Sequence, residues 1–208
     1  MKLLLISLIL SFITVENPGR YAQELSDKEE IIVDCNYTLD EALSGAEIPA
    51  WIKKNLVLVD VEYYSFDNKL HKGQLVLHKR AEKDIKEIFE IIRSIRFPVN
   101  QVVPIVRYNW SDEASMNDNN TSAFNYRKVK GQKVLSAHSY GLAIDINPMQ
   151  NPHIKRNIVQ PVNGKYDVKA AGTILKNSKI VQEFRKRGWQ WGGTWRSSKD
   201  YQHFEKKN

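Results

Sequence analysis

The sequence contains the segment Ser136-Ala137-His138-Ser139-Tyr140-Gly141-Leu142-Ala143-Ile144-Asp145, followed later by Asp200-Tyr201-Gln202-His203-Phe204-Glu205. Each stretch places a histidine close to a carboxylate. Two histidines and one carboxylate supply three ligands for a zinc ion and leave its fourth position for water. The pattern therefore predicts a catalytic metal site and favours metal-assisted hydrolysis.

Both stretches also predict short strands. After Gly141, aliphatic residues alternate with Ala143 and Asp145, so a strand here would bury the aliphatic face and turn the carboxylate the other way. Gly141 permits the turn that brings His138 round to the same metal. In the second stretch Phe204 can enter the core while His203 faces away from it.

The remaining elements follow from periodicity. Alternating residues predict a strand over 57–64, which the turn signal Asp67-Asn68 joins to a second strand at 75–77 in a hairpin. Apolar residues at helical spacing predict a helix over 85–95, ended by Phe97-Pro98. We further expect a strand over 102–106, a long loop over 109–122, a short helix around 180–184 and a last strand over 203–205.

The first residues have the character of a targeting segment. Leu3–Val15 is an apolar run of thirteen residues, which suits a secretory signal and is short for a membrane span of about 20 residues. We interpret residues 1–22 as a signal peptide or an uncleaved N-terminal anchor. Residues 23–45 form a predicted linker or arm, in which Ser26 and Glu29 resemble a capping box, and residues 46–208 form the predicted folded domain.

Composition limits the classes of function. The chain has 208 residues, 42% hydrophobic and 26% charged, as expected for one globular domain. Its net charge of +7 favours anionic partners, but the sequence contains no nucleic-acid-binding motif, so we predict no nucleic-acid partner. Cys35 is the only cysteine, which excludes an internal disulfide and a thiolate metal cluster.

The two stretches, together with Trp189-x-Trp191-Gly192-Gly193-x-Trp195, resemble the zinc peptidases of bacterial cell walls, peptidase family M15. These include D-Ala-D-Ala carboxypeptidases and dipeptidases, and L-alanyl-D-glutamate endopeptidases. The resemblance covers about residues 97–208. It implies one Zn²⁺ per chain, held by His138, Asp145 and His203, with Asp200 as the general base. It also implies an α+β fold, hedgehog-like, with a small antiparallel sheet, helices packed on one side and zinc at the open face.

Substrate contacts are also implied. The family uses an arginine before the first zinc ligand to hold a substrate carboxylate or the polarised carbonyl. Arg127 is the preferred candidate and Arg107 the alternative. Ser136 either contacts substrate or hydrogen-bonds a ligand, and Tyr140 also contacts substrate. Trp191, with its neighbouring tryptophans, either walls the cleft or packs around the glycine turn. Three further histidines are interpreted as surface residues: His71, His78 and His153.

Two functions stay open. The first is an extracytoplasmic zinc peptidase, secreted or periplasmic, that cuts peptidoglycan stem peptides as a D-Ala-D-Ala carboxypeptidase or an L-Ala-D-Glu endopeptidase. The alternative is a non-catalytic zinc-containing module that binds the wall or a protein. The full set of ligands plus Asp200 favours the enzyme. We expect a monomer that touches the membrane only through its N-terminus.

Overall fold

The computed structural model describes residues 30–207, and from Ile31 onward the chain forms one compact unit. Its helices are α1 (Leu39–Ala42), α2 (Ala50–Lys53), α3 (Lys79–Ser94), α4 (Asp112–Asn117) and α5 (Lys179–Lys186), and 3-10 helices span Ile105–Tyr108, Ala137–Tyr140 and Gly192–Thr194. The strands are β1 (Ile31–Val33), β2 (Leu56–Tyr64), β3 (Leu70–His78), β4 (Gln101–Val102), β5 (Asn120–Thr121), β6 (Ala143–Asp145), β7 (His153–Lys155), β8 (Ile158–Gln160), β9 (Trp189–Trp191), β10 (Lys199–Asp200) and β11 (His203–Lys206).

The predicted α+β class agrees with these elements, but the strands of residues 30–207 form four small sheets. Their orders are β1-β3-β2, β10-β7-β8, β6-β11-β9 and β4-β5. The expectation of a single antiparallel sheet is wrong, because β1 pairs with β3 in parallel and β4 pairs with β5 in parallel. The strands that carry the site are antiparallel, and most of them have only two to four residues.

The β2–β3 hairpin and α3 build the centre of the core, as the periodicity predicts. Nine residue pairs join the two strands, from Leu56 with His78 to Tyr64 with Leu70, and the turn between them places Asn68 at φ 62°. One face of α3 is buried against this hairpin through Ala81, Ile85, Ile88, Phe89 and Ile92. Each fully buried aliphatic side chain contributes about 1.5–3 kcal/mol, so this face fixes the helix on the sheet.

Two expectations between residues 102 and 122 are wrong. The predicted strand over 102–106 stops at Val102, because Pro104 caps a 3-10 helix over Ile105–Tyr108. The predicted loop over 109–122 contains α4, whose first turn is capped by the Ser111 hydroxyl accepting from the Ala114 amide.

The segment interpreted as an arm contributes to the folded unit from Ile31 onward. Strand β1 pairs with β3, and α1 begins in a capping box formed by Thr38 and Glu41. Ala42 and Leu43 are buried in a second apolar cluster with Phe124. The signal or anchor at residues 1–22 and the predicted capping box at Ser26 lie outside the described residues. Between residues 30 and 207 no helix combines the length and apolarity needed to cross a membrane.

Candidate metal centre and active site

Three elements bring the predicted ligands together. In the antiparallel pair of β6 and β11, Asp145 lies directly opposite His203. The 3-10 helix Ala137–Tyr140 carries His138 and ends at Gly141, whose φ is 66°. Gly141 is required here, since a Cβ at this position would lie 2.4 Å from the His78 backbone nitrogen.

The donor atoms of these three side chains converge in a buried cluster. His138 Nε2 lies 3.2 Å from His203 Nδ1 and 3.3 Å from Asp145 Oδ2, and His203 Nδ1 lies 2.9 Å from Asp145 Oδ1. Donors bound about 2.0–2.1 Å from a zinc ion at tetrahedral angles are spaced by about 3.3 Å. The spacing and the chemistry of the donors therefore fit a zinc ion, and the cluster could hold a metal.

The outward nitrogen of each imidazole is also engaged. His138 Nδ1 donates to the Ala123 carbonyl, which leaves Nε2 unprotonated toward the cluster. His203 Nε2 lies 3.3 Å from Glu205 Oε2. Such outer contacts fix the tautomer and the ring orientation of metal-binding histidines. Glu205 therefore orients His203, as the spacing of two residues along a strand makes possible.

The charges within the cluster support one another. Burial disfavours the charge of Asp145, but the neighbouring charges and hydrogen bonds of His138 and His203 outweigh it and hold the pKa of that carboxyl well below its usual range. Burial likewise disfavours a charged His203, but hydrogen bonds with Asp145 and Glu205 raise its pKa to about 10. Proton and metal therefore compete for this imidazole.

Asp200 has a different environment on β10. Burial, with a contribution from the Asp145 charge, raises the pKa of its carboxyl to about 6, against the charges of His203, His153 and His138. Its Oδ1 is buried without a hydrogen-bond partner. Gly192 lets the chain approach closely, because a Cβ there would lie 2.6 Å from the Asp200 carbonyl oxygen. A half-buried carboxyl with one unpartnered oxygen and a pKa near neutrality suits proton transfer.

The two candidate arginines lie in different surroundings. Arg127 Nη2 forms an ion pair with Asp112 at 3.0 Å, while its Nε is buried and unpartnered. The Ser139 hydroxyl accepts a hydrogen bond from the Arg127 amide and donates one to the Arg127 carbonyl. These bonds fix Arg127 beside the 3-10 helix that carries His138. The charge of Arg107 instead acts on Asp34 and Cys35.

The other predicted substrate contacts separate into three cases. Ser136 is buried and caps the 3-10 helix by accepting from the His138 amide at 3.4 Å. Tyr140 lines a hollow with Trp51, and the two rings lie 6.0 Å apart. Trp191 is 2% exposed and its Nε1 donates to the Tyr201 carbonyl, so it packs in the core, which favours the alternative of packing around the glycine turn. The half-exposed ring of Trp195 lies 5.3 Å from the His203 ring instead.

Two of the histidines interpreted as surface residues have specific neighbours. His71 contacts Asp34 at 2.8 Å and Asp67 at 3.2 Å, and only 12% of its side chain is exposed. His153 lies directly opposite Asp200 in the pair of β7 and β10. The contact of His71 with Asp67 is local, whereas its contact with Asp34 and the pairing of His153 with Asp200 depend on distant segments and have no local signal in the sequence.

Comparison with known proteins agrees with this geometry. Residues 130–206 match the family model described as D-alanyl-D-alanine carboxypeptidase. This match supports the resemblance to peptidase family M15. No solved structure matches the chain. The matched region contains the three candidate ligands and Asp200, whereas Arg127 lies just before it.

Proposed function

We propose that the chain is a zinc-dependent peptidase that hydrolyses peptidoglycan stem peptides. The observation that carries this proposal is the buried cluster of His138, Asp145 and His203 next to the unpartnered carboxyl of Asp200. The family match over residues 130–206 supports a peptidase, and the description of that family supports a substrate ending in D-alanine.

The chain's own residues would divide the work as follows. His138, Asp145 and His203 hold the ion, which when bound lowers the pKa of a water and polarises the scissile carbonyl. Asp200 accepts the proton of the attacking water and delivers it to the leaving amine. A raised pKa suits both steps, because a carboxyl that titrates near neutrality can take a proton and release it again.

Arg127 is our candidate for binding the substrate carboxylate. Its ion pair with Asp112 leaves Nε and Nη1 without a partner among residues 30–207, and its backbone is fixed beside the helix of His138. Nη1 can therefore donate to a substrate carboxylate, and the charge on both partners strengthens such a hydrogen bond. Trp195 replaces Trp191 in our proposal as the aromatic wall of the cleft.

Mass spectrometry of defined muropeptides tests the function. The purified chain is incubated with each muropeptide in chelator, and again after zinc is restored. Zinc-dependent loss of one terminal alanine identifies a D,D-carboxypeptidase, and a cut between the first two stem residues identifies an L,D-endopeptidase. Firm zinc binding without any product would instead support the alternative, a non-catalytic binding module.

Two further parts of the proposal concern place and assembly. We propose that the protein is extracytoplasmic, on the basis of the apolar run Leu3–Val15. We also propose that it acts as a monomer. Fractionation of cells that express the full chain tests the first part, and sedimentation tests the second. Recovery in the cytoplasm at full length would contradict export.

A further inference from the structure

His153 lies beside the proposed base. It opens β7 and is the direct partner of Asp200 in the antiparallel pair of β7 and β10. Side chains of directly paired residues project from the same face of a sheet, with their Cβ atoms about 4.5–5.5 Å apart. The His153 ring is half-buried and forms no hydrogen bond or ion pair with any residue from 30 to 207.

Asp200 lacks a hydrogen-bond donor. Its Oδ1 is buried without a partner, although a buried carboxylate oxygen is stable only when it accepts a hydrogen bond. Three imidazoles act on this carboxyl through their charge: His203, His153 and His138. Any of them could in principle supply the missing donor.

Only one of the three has a free ring nitrogen. His138 uses Nδ1 for the Ala123 carbonyl and Nε2 for the cluster. His203 uses Nδ1 for the cluster and Nε2 for Glu205. His153 is committed to neither the metal nor another side chain of the described unit. It is therefore the imidazole that can donate to Asp200 while the ligands hold their ion.

We propose that His153 is the positioning residue of Asp200: its ring N–H donates to the carboxylate, orients it in the cleft and favours its ionised form. The inference rests on the proposed function, in which Asp200 is the base. It also gives the β7–β8 hairpin a role in turnover, because this hairpin supplies His153 and pairs with the strand of the base.

The contact itself is tested without any substrate. The ring N–H protons of the five histidines are observed by NMR, with and without zinc, and the His153 signal is assigned from the spectrum of His153→Gln. In wild type the His153 ring N–H should exchange slowly with solvent because it donates to Asp200, and in Asp200→Ala its exchange should become about tenfold faster or more. An unchanged exchange rate in Asp200→Ala overturns the proposal. This result does not depend on cleavage, so it is distinct from a failure of the proposed function.

The role in turnover is tested with a pair of substitutions and a control. His153→Ala should lower kcat about tenfold or more, move the acidic limb of the kcat profile to higher pH and leave both KM and zinc affinity within about twofold. His153→Gln keeps an N–H donor and should recover part of kcat. Lys155→Ala, an exposed change in the same strand, should resemble wild type.

Two results would contradict the role in turnover. If kcat of His153→Ala stays within about twofold of wild type, His153 does not position the base. If His153→Ala loses zinc affinity in proportion to activity, the residue supports the metal site as a whole. Thermal unfolding of each variant shows whether the hairpin remains folded, and His153→Gln keeps the test available if the alanine variant does not fold.

Discussion

Replacement of Gly141 by alanine should destabilise the chain and disturb the metal site together. Gly141 has a φ of 66°, and a Cβ there would lie 2.4 Å from the His78 nitrogen and 2.8 Å from the Leu77 carbonyl carbon. Both are backbone atoms at the end of β3, and the His78 amide donates to the Gly141 carbonyl at 2.9 Å. The added methyl group can fit only if the 3-10 helix moves away from β3.

The expected magnitude has two parts. A left-handed alanine costs about 1–2 kcal/mol relative to glycine. Overpacking against a fixed neighbour costs about 1–3 kcal/mol more. Gly141→Ala should therefore lower the free energy of unfolding by about 2–5 kcal/mol. Because His138 lies in the helix that must move, zinc affinity should fall as well.

Gly131 provides a matched control. Its φ is 76°, but a Cβ there meets no atom within 4 Å. Gly131→Ala should therefore cost only the conformational part, about 1–2 kcal/mol, and leave zinc affinity unchanged. Urea unfolding in chelator measures both variants without a contribution from bound metal, and competition with a chromophoric chelator measures zinc affinity. Equal destabilisation by the two substitutions would refute the steric reasoning.

Four further outcomes follow from the site and its surroundings. Glu205→Gln should weaken zinc binding about 10- to 100-fold, because the carboxylate that orients His203 loses its charge. Chelator competition measures this change, and zinc binding within twofold of wild type would contradict that role. His203→Ala should lose both zinc and activity, whereas Asp200→Ala should keep zinc and lose about 100- to 10,000-fold in kcat. Zinc affinity should fall progressively as the pH drops below about 10, since the pKa of His203 is raised to about 10 and a proton must leave before metal binds. Calorimetry that finds the same affinity at pH 5 and pH 8 would exclude imidazole ligation. Burial raises the pKa of the Cys35 thiol to about 11, so iodoacetamide should alkylate it far more slowly at pH 8 in the folded chain than in urea, and equal rates would show that the thiol is freely ionised.

The parts of the fold that were predicted correctly are those with a local periodic signal. The alternation of residues along the chain predicted the β2–β3 hairpin, and apolar residues at helical spacing predicted α3 and α5. In both cases the decisive contacts lie within one element or between neighbours in the chain. The three candidate ligands could be named from sequence because two separate segments resemble family motifs, although the contacts of His203 with His138 and Asp145 join distant parts of the chain.

The errors occur where distant segments decide the outcome. The sequence leaves Trp191 open between the cleft and the core, and only the pairing of β9 with β11 places its ring in the core. His153 carries no local motif, and only the pairing of β7 with β10 places it opposite Asp200. Strand β1 is three residues long, so its pairing with β3 leaves almost no trace in the pattern of hydrophobic residues.

Metal retention and turnover should be separable in this chain, because two different sheets hold the two halves of the site. The candidate ligands Asp145 and His203 face each other in the sheet β6-β11-β9, where a register slip of one residue in either strand would turn that strand's side chain to the opposite face. Asp200 lies in the sheet β10-β7-β8, and only Tyr201 and Gln202 separate it from His203. This short connection keeps the base next to the metal, while β7 supports it independently of the ligands. Changes in β6 or β11 should therefore affect zinc binding and catalysis together, whereas changes in the β7–β8 hairpin should affect catalysis alone.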